Sequence, residues 1–437
     1  MNKKLLATLL CSSIGVFSLP ATADNLQSVY QLATQKDPVV LRAAASRDAA
    51  VARIDVTKAE LLPNISLSSS LVRSDNSNWT FGDDSTSLSG RVSLSQSIYN
   101  RRNWQNLSIS EKQALQAQTF YNSAAQALIV RVTDGYFNVL KAKDDLTFIQ
   151  AEKRSIERQL EQTKQRFAVG LTAITDVHEA QAQFDSAVAR EISSVNALEF
   201  ALEQLREITG RYHDELATLN TDRFSTAPLS PAEPQQWLTI AEENNFELQA
   251  QRIGMEIARL DIDRARAGHL PTVSLSADLG SSKARTDQGT GPRGDSSSIG
   301  LTLSVPIYSG GAVNAGVSVA QANFVETSEQ MEQTYRSTVR QVRNSFNNVR
   351  ALTSSIRALE QAVVSADSAL KATEAGFEVG TRTIVDVLVS TRNLFDARRN
   401  LSRARYDYIL SVLDLKLAAG NLTEQDLLDI NNALMPS

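Results

Sequence analysis

The chain has 437 residues, 42% of them apolar and 21% charged, which is enough apolar character to bury a core and too much for a disordered segment. Its 44 basic and 49 acidic residues are interspersed and leave a formal charge of -5 with no basic stripe, so nucleic-acid partners are not expected. One cysteine, Cys11, and three scattered histidines, His178, His213 and His269, offer neither a disulfide framework nor a soft-metal cluster, and no cofactor is expected.

Residues 1–23 read as a secretory signal: Lys3 and Lys4, an apolar stretch from Leu5 to Phe17, then Ala21-Thr22-Ala23 as a small-residue cleavage site. Leu10 precedes Cys11 where a lipidation site needs a small residue, which argues against a lipid anchor. No later apolar run is long enough to cross a bilayer as a helix. Period-two alternation then marks strands over 64–73 and 89–98, with Ile65, Leu67, Leu71, Val92, Leu94 and Ile98 set against serines. A helical pattern runs from 103 to 169, stops at Gly170 and returns over 173–209.

The same plan runs again. Strands are expected over 272–281 and 299–307, a long helix over 313–379, a stop at Gly380 and a returning helix over 383–419. Matching strings carry the duplication: ELLPNISLSSSL at 60–71 with GHLPTVSLSADL at 268–279, and RFAVGLTAITDV at 166–177 with GFEVGTRTIVDV at 376–387. Repeat boundaries are therefore placed at 24–215 and 216–437. No proline interrupts the long helical spans, each of which would measure on the order of 100 Å. A seven-residue seam, Val387, Leu394, Leu401, Tyr408 and Leu415, predicts an antiparallel coiled-coil hairpin; Val177, Phe184, Leu198 and Leu205 repeat it with Glu191 as a break.

Each strand has the roughly ten-residue length that crosses a bilayer when tilted. Four strands cannot close a barrel, and lipid does not tolerate an open edge, so the barrel has to be shared between subunits. Two subunits would make a barrel filled by its own side chains. Serine-rich inner faces call for a wet lumen and favour three. The rival architecture is an exported coiled-coil stalk, structural or adhesive, whose strands form a water-soluble head.

In order and at this spacing, the signal segment, the duplicated plan, SVPIYSGG (304–311) and the two helix-turn strings resemble the TolC family of outer-membrane efflux and type I secretion ducts of Gram-negative bacteria. ITGRYHDEL (208–216), GHLPT (268–272) and GNLTEQDLLDINNAL (420–434) extend the similarity over essentially the whole chain after the signal. The resemblance implies an α+β membrane protein: a homotrimer with a twelve-stranded barrel in outer-membrane lipid, a helical tube crossing the periplasm, and a belt from about 211–235 and 420–434. It also implies a non-enzymatic duct that docks a periplasmic adaptor and an inner-membrane transporter of RND or ABC type.

Residue by residue, the resemblance places the periplasmic aperture at Asp176, Asp386, Arg382, Thr175 and Phe377, with Arg382 binding Thr175 and Asp176 of an adjacent hairpin. Read from the residues alone, Asp176 and Asp386 are first-turn helix caps, and Thr383 to Asp386 has capping-box spacing. Phe377 stands where the family's best-known member has a tyrosine, and Val389 where it has a second aspartate. One carboxylate ring is therefore expected instead of two. Val169, Gly170, Leu171, Val379, Gly380 and Thr381 are expected to meet the adaptor, and Tyr99 and Tyr308, at the ends of strands, to sit at the membrane interface.

Overall fold

A computed structural model describes residues 24–74, 85–221, 224–226, 228–286 and 289–434; the expected signal and Cys11 lie outside them. The chain opens with helices α1 (Leu26–Lys36) and α2 (Pro38–Ala59). Both start on side-chain caps that satisfy an orphan first-turn amide: Asn25 accepts from the Ser28 N–H at 2.8 Å and Asp37 from the Val40 N–H at 2.9 Å. Strands β1 (Asn64–Ser74) and β2 (Ser85–Tyr99) follow, then the helices α3 (Arg101–Ala168) and α4 (Ile174–Thr209). The order of helices and strands then comes round again. It runs through α5 (Pro234–Asn244), α6 (Phe246–Arg266), β3 (Thr272–Thr286), the two-residue β4 (Gly289–Thr290), β5 (Gly294–Ser304), α7 (Ala312–Glu378) and α8 (Ile384–Ala419). A short helix, α9 (Glu424–Asn432), ends it.

At 68 and 67 residues, α3 and α7 are each about 100 Å long. They pack against α4 and α8 as two hairpins, while α2 lies along α3 and α6 lies between α3 and α7. All four hairpin helices begin and end within about two residues of expectation, the usual uncertainty of a helix terminus. In α8 the seam residues Val387, Leu394, Tyr408 and Leu415 are buried. Glu191, the break in the α4 seam, accepts from Lys153 Nζ of α3 at 2.6 Å, beside a second α3–α4 pair of Glu152 with Arg190, also at 2.6 Å. Paired charges replace one apolar layer of the hairpin. Burial pushes the Glu152 carboxyl above its ordinary value against the pull of Arg190, and the Lys153 hydrogen bond holds Glu191 below its own.

Antiparallel pairing gives the strand order β1-β2-β3-β5, with β4 on the end of β3. The register puts Ile65, Leu94, Ala277 and Ile299 in one row and Leu67, Val92 and Leu279 in the next but one. On the opposite face the serines meet: between these rows the Ser66 and Ser93 hydroxyls are 2.8 Å apart, and farther along the strands those of Ser70 and Ser89 are too. One face is apolar and the other hydroxylated. The apolar face is uncovered, with Leu67 and Ile299 each 79% exposed. Among the described residues β1 pairs only with β2, so both outer strands present a free edge.

Strand ends differ from expectation. The last strand was expected over 299–307 but runs Gly294–Ser304, because Pro306 has no N–H to give the ladder and pairing stops at Ser304 with Thr272. Tyr308 consequently lies beyond the strand, 87% exposed, whereas Tyr99 is the last residue of β2. At the other end, β2, β3 and β5 continue into serine- and aspartate-rich sequence, since backbone pairing does not need the apolar alternation that marks a strand in the sequence. Helices α1, α2, α5 and α6 were not anticipated; in α2 only Val40 is buried, and an alanine–arginine segment of that kind shows no clear stripe.

The core sits midway along the hairpins. Tyr136, Phe137 and Leu140 of α3 pack with Leu26 and Val29 of α1, Leu205 of α4, and Leu413 of α8. The segments expected as the belt join this core through Leu216, Leu219, Leu422, Leu427 and Leu434, and by single β-bridges from Asp24 to Leu216 and from Leu219 to Leu434. His213, fully buried, places its Nδ1 2.8 Å from the Asp24 carboxylate and its Nε2 3.0 Å from the Thr209 hydroxyl. A second cluster seats Trp237 and Leu238 of α5 on Val342 and Phe346 of α7 and Leu415 of α8. Full burial of side chains this size contributes roughly 1.5–3 kcal/mol each.

Gly420 ends α8 at φ +76°, and a Cβ there would lie 2.5 Å from the Asn244 backbone. The α5–α6 junction is seated on this helix end, where Asn245 Nδ2 donates to the Ala418 carbonyl at 3.0 Å. Gly170 has a similar φ of +78° with nothing near its missing Cβ. Gly170→Ala should therefore cost about 1–2 kcal/mol for the left-handed backbone alone. Gly420→Ala should cost clearly more, because a backbone collision adds to the same term. The thermal unfolding midpoints of the two variants, measured side by side, check the order.

Candidate functional site

The turns joining α3 to α4 and α7 to α8 lie about 100 Å from the sheet, at the far ends of the hairpins. Both close in the same way. Gly170 N–H donates to Phe167 O at 2.9 Å and Leu171 N–H to Arg166 O at 2.8 Å; Gly380 N–H donates to Phe377 O at 3.1 Å and Thr381 N–H to Gly376 O at 2.8 Å. These are paired helix-ending bonds of the Schellman type, which need a left-handed residue; Gly170 and Gly380 supply it at φ +78° and +79°. Around them Val169, Leu171 and Val379 are exposed at 70%, 69% and 76%, so the tip carries uncovered apolar side chains beside open glycine backbone.

The two acids are held differently. Thr383 and Asp386 form a complete capping box: the Thr383 N–H donates to the Asp386 carboxylate at 2.9 Å and the Asp386 N–H to the Thr383 hydroxyl at 3.3 Å. At the matching position of the first turn Ala173 has no hydroxyl, and Asp176 instead accepts from the Thr172 hydroxyl. The Thr383 amide and hydroxyl, with Arg382 nearby, hold the Asp386 carboxyl below its ordinary value.

Arg382 rests on Gly376. A Cβ at 376 would lie 2.8 Å from Arg382 Cγ, and the Gly376 carbonyl accepts from Arg382 N–H at 3.2 Å as well as from the Thr381 amide and hydroxyl. Within one chain Arg382 makes no hydrogen bond or ion pair with Thr175 or Asp176 among the described residues, and Thr175 is exposed. Phe377, expected at the aperture, is only 9% exposed; it belongs to a buried apolar cluster that also holds Ile156 and Leu160 of α3, Ala180 and Ala187 of α4, and Ile384, Val387 and Leu388 of α8. Sequence reasoning missed Arg166, whose guanidinium carbon lies 4.6 Å from the centre of the Phe377 ring. The only available signal was its place in RFAVG, opposite Gly376 in GFEVG. It missed Gly376 for the same reason: small size has no meaning until the arginine above it is placed.

Against known proteins, the outer membrane efflux protein family matches this chain twice, over residues 29–211 and 237–421. The chain is 44% identical to outer membrane protein TolC of Vibrio cholerae, over 99% of both chains. It is 31% identical to alkaline protease secretion protein AprF of Pseudomonas aeruginosa, over 93% of this chain and 86% of that relative. The solved Campylobacter jejuni CmeC outer membrane channel shares its fold with a TM-score of 0.80 at 18% identity, over 94% of this chain and 90% of that one.

The capping box carries a pH dependence. Because the Asp386 carboxyl is lowered in the folded protein, its contribution is fully present above the ordinary value of 3.8 and is lost as the pH falls through the folded value. Protection factors of the amides in the first turn of α8, corrected for the intrinsic pH dependence of exchange, should therefore fall on acidification below about pH 4, and Asp386→Asn should show the lower protection already at neutral pH.

Proposed function

The chain belongs to the outer membrane efflux protein family, and from that premise we propose that it is the shared exit duct of efflux and type I secretion assemblies, built from three copies. It sits in the outer membrane, extends into the periplasm and is a channel protein, not an enzyme. The observation that carries the trimer is the sheet: four membrane-length strands, an uncovered apolar face, a serine face and two free edges. Lipid cannot satisfy those edges, so β1 of one copy pairs with β5 of the next, and three copies give twelve strands around a wet lumen. Its helix pairs continue the barrel as a tube, with each repeat, 24–215 and 216–437, contributing one hairpin. Tyr99 and Tyr308 lie where barrel meets tube, at the level of an interfacial aromatic belt.

The tip is the closed end. Around a threefold axis the Asp386 side chains form one carboxylate ring that favours cations, and Val389 adds no second ring. Arg382, exposed, seated against Gly376 and without Thr175 or Asp176 as a partner in its own chain, binds them on the adjacent hairpin and keeps the aperture shut. A periplasmic adaptor meets the exposed Val169, Gly170, Leu171, Val379, Gly380 and Thr381 and, with an inner-membrane transporter of RND or ABC type, draws the hairpins apart. Apolar side chains beside bare glycine backbone suit close helix-tip contact.

Light scattering of the unboiled detergent extract, corrected for bound detergent, should return the mass of three mature chains. A monomer in the soluble fraction would restore the exported stalk instead. In planar bilayers Arg382→Ser should raise the open-to-closed ratio about tenfold or more, since a hydrogen bond to a charged group is worth ~1.5–3 kcal/mol; unchanged conductance and antibiotic uptake would remove Arg382 from the gate.

A further inference from the structure

We propose that Arg166 is a further gating residue, a cation–π latch that ties the two hairpins of one subunit together just inside the tip. The proposal rests on the tip being the closed end of the duct. Arg166 belongs to the last turn of α3 and Phe377 to the last turn of α7, so their contact spans the two hairpins. At 4.6 Å from the ring centre, the guanidinium is well inside the range of ~6 Å over which a cation is attracted to an aromatic face. The ring belongs to a buried apolar cluster with Ile384, Val387 and Leu388 of α8 and with residues of α3 and α4, and the guanidinium lies over its face.

Both partners are held in place. The Arg166 carbonyl accepts the Leu171 N–H at 2.8 Å and the Phe377 carbonyl accepts the Gly380 N–H at 3.1 Å, so each turn's terminating bonds fix the backbone from which its partner projects. Arg166 makes no ion pair among the described residues, which leaves its planar guanidinium free to stack. The duplicated positions do not reciprocate. Opposite Phe377 in the first repeat is Phe167, 42% exposed, and opposite Arg166 in the second is Gly376, which seats Arg382 instead. One arginine therefore closes the joint inside the subunit while the other is directed to the neighbouring hairpin. For the α7–α8 hairpin to swing away from α3–α4, the Phe377 ring has to leave the guanidinium.

Planar-bilayer conductance of Arg166→Gln, Phe377→Leu, their double variant and Arg382→Ser, each confirmed as a trimer by light scattering, tests the latch. Arg166→Gln and Phe377→Leu should each raise the open-to-closed ratio about two- to fivefold, the equivalent of a partly exposed cation–π contact. The double variant should match the larger single effect, because either change removes the same contact. Should Phe377→Leu fail to assemble, Phe377→Met removes the ring at closer volume. If Arg382→Ser opens the channel and Arg166→Gln does not, the latch is wrong and the closed-tip reading survives. Multiplying effects in the Arg166–Phe377 double variant would also overturn it. Wild-type behaviour in all four variants would take down the closed tip and the latch together.

Discussion

Unpaired backbone at the two edges of a four-stranded sheet is the constraint on which the rest of this molecule depends. The sheet buries neither face within the chain: its leucines and isoleucines point outward, and its serines pair across the opposite face. An apolar exposed face asks for lipid, yet lipid offers nothing to a free N–H or C=O. A single four-stranded sheet does not satisfy both demands, and the closure between copies proposed above would satisfy them at once. The long hairpins then inherit their positions from the strands, because α3 starts at Arg101 directly after β2 and α7 at Ala312 after the short segment that follows β5.

At the opposite end the physics changes from hydrogen-bond closure to small, separable contacts. The two turns share a backbone design but divide their side chains unequally: one acid sits in a full capping box and the other is held by a threonine, one phenylalanine is buried and the other exposed. This inequality suits the opening joint proposed for the tip. Each contact of this kind is worth only a kcal/mol or so, well below the burial that holds the middle of the hairpins. Glu152 with Arg190, and Lys153 with Glu191, interrupt the apolar seam of the first hairpin between these two regions.

The hairpin helices were legible because three independent signals agree on them: a proline-free span, a seven-residue apolar seam and a glycine where each helix stops. The strands were legible in their middles, where leucine alternates with serine, and not at their ends, where serine and aspartate extend the ladder without any apolar mark. Helix α2 left no trace because the side chains it half-buries, Ala43, Ala44, Arg47, Ala50, Ile54 and Thr57, are mostly small or polar. Asp386 could be read either as a cap or as an aperture residue, and its capping bonds are now explicit. The site residues that were overlooked, Arg166 and Gly376, derive their meaning from a neighbour more than 200 positions distant or from a side chain folded back over them.

By itself the sequence determined the periodicities, and with them the element types, the duplicated order and the residues that terminate each helix, since all of these follow from local backbone preference and the spacing of apolar side chains. Tertiary structure decided which of two equivalent residues does what. Phe167 and Phe377 stand in near-identical strings, but only the second joins a buried cluster drawn from three other helices, and it is the one over which Arg166 lies. Burial is a property of the surroundings a residue is brought into, and no local pattern records it.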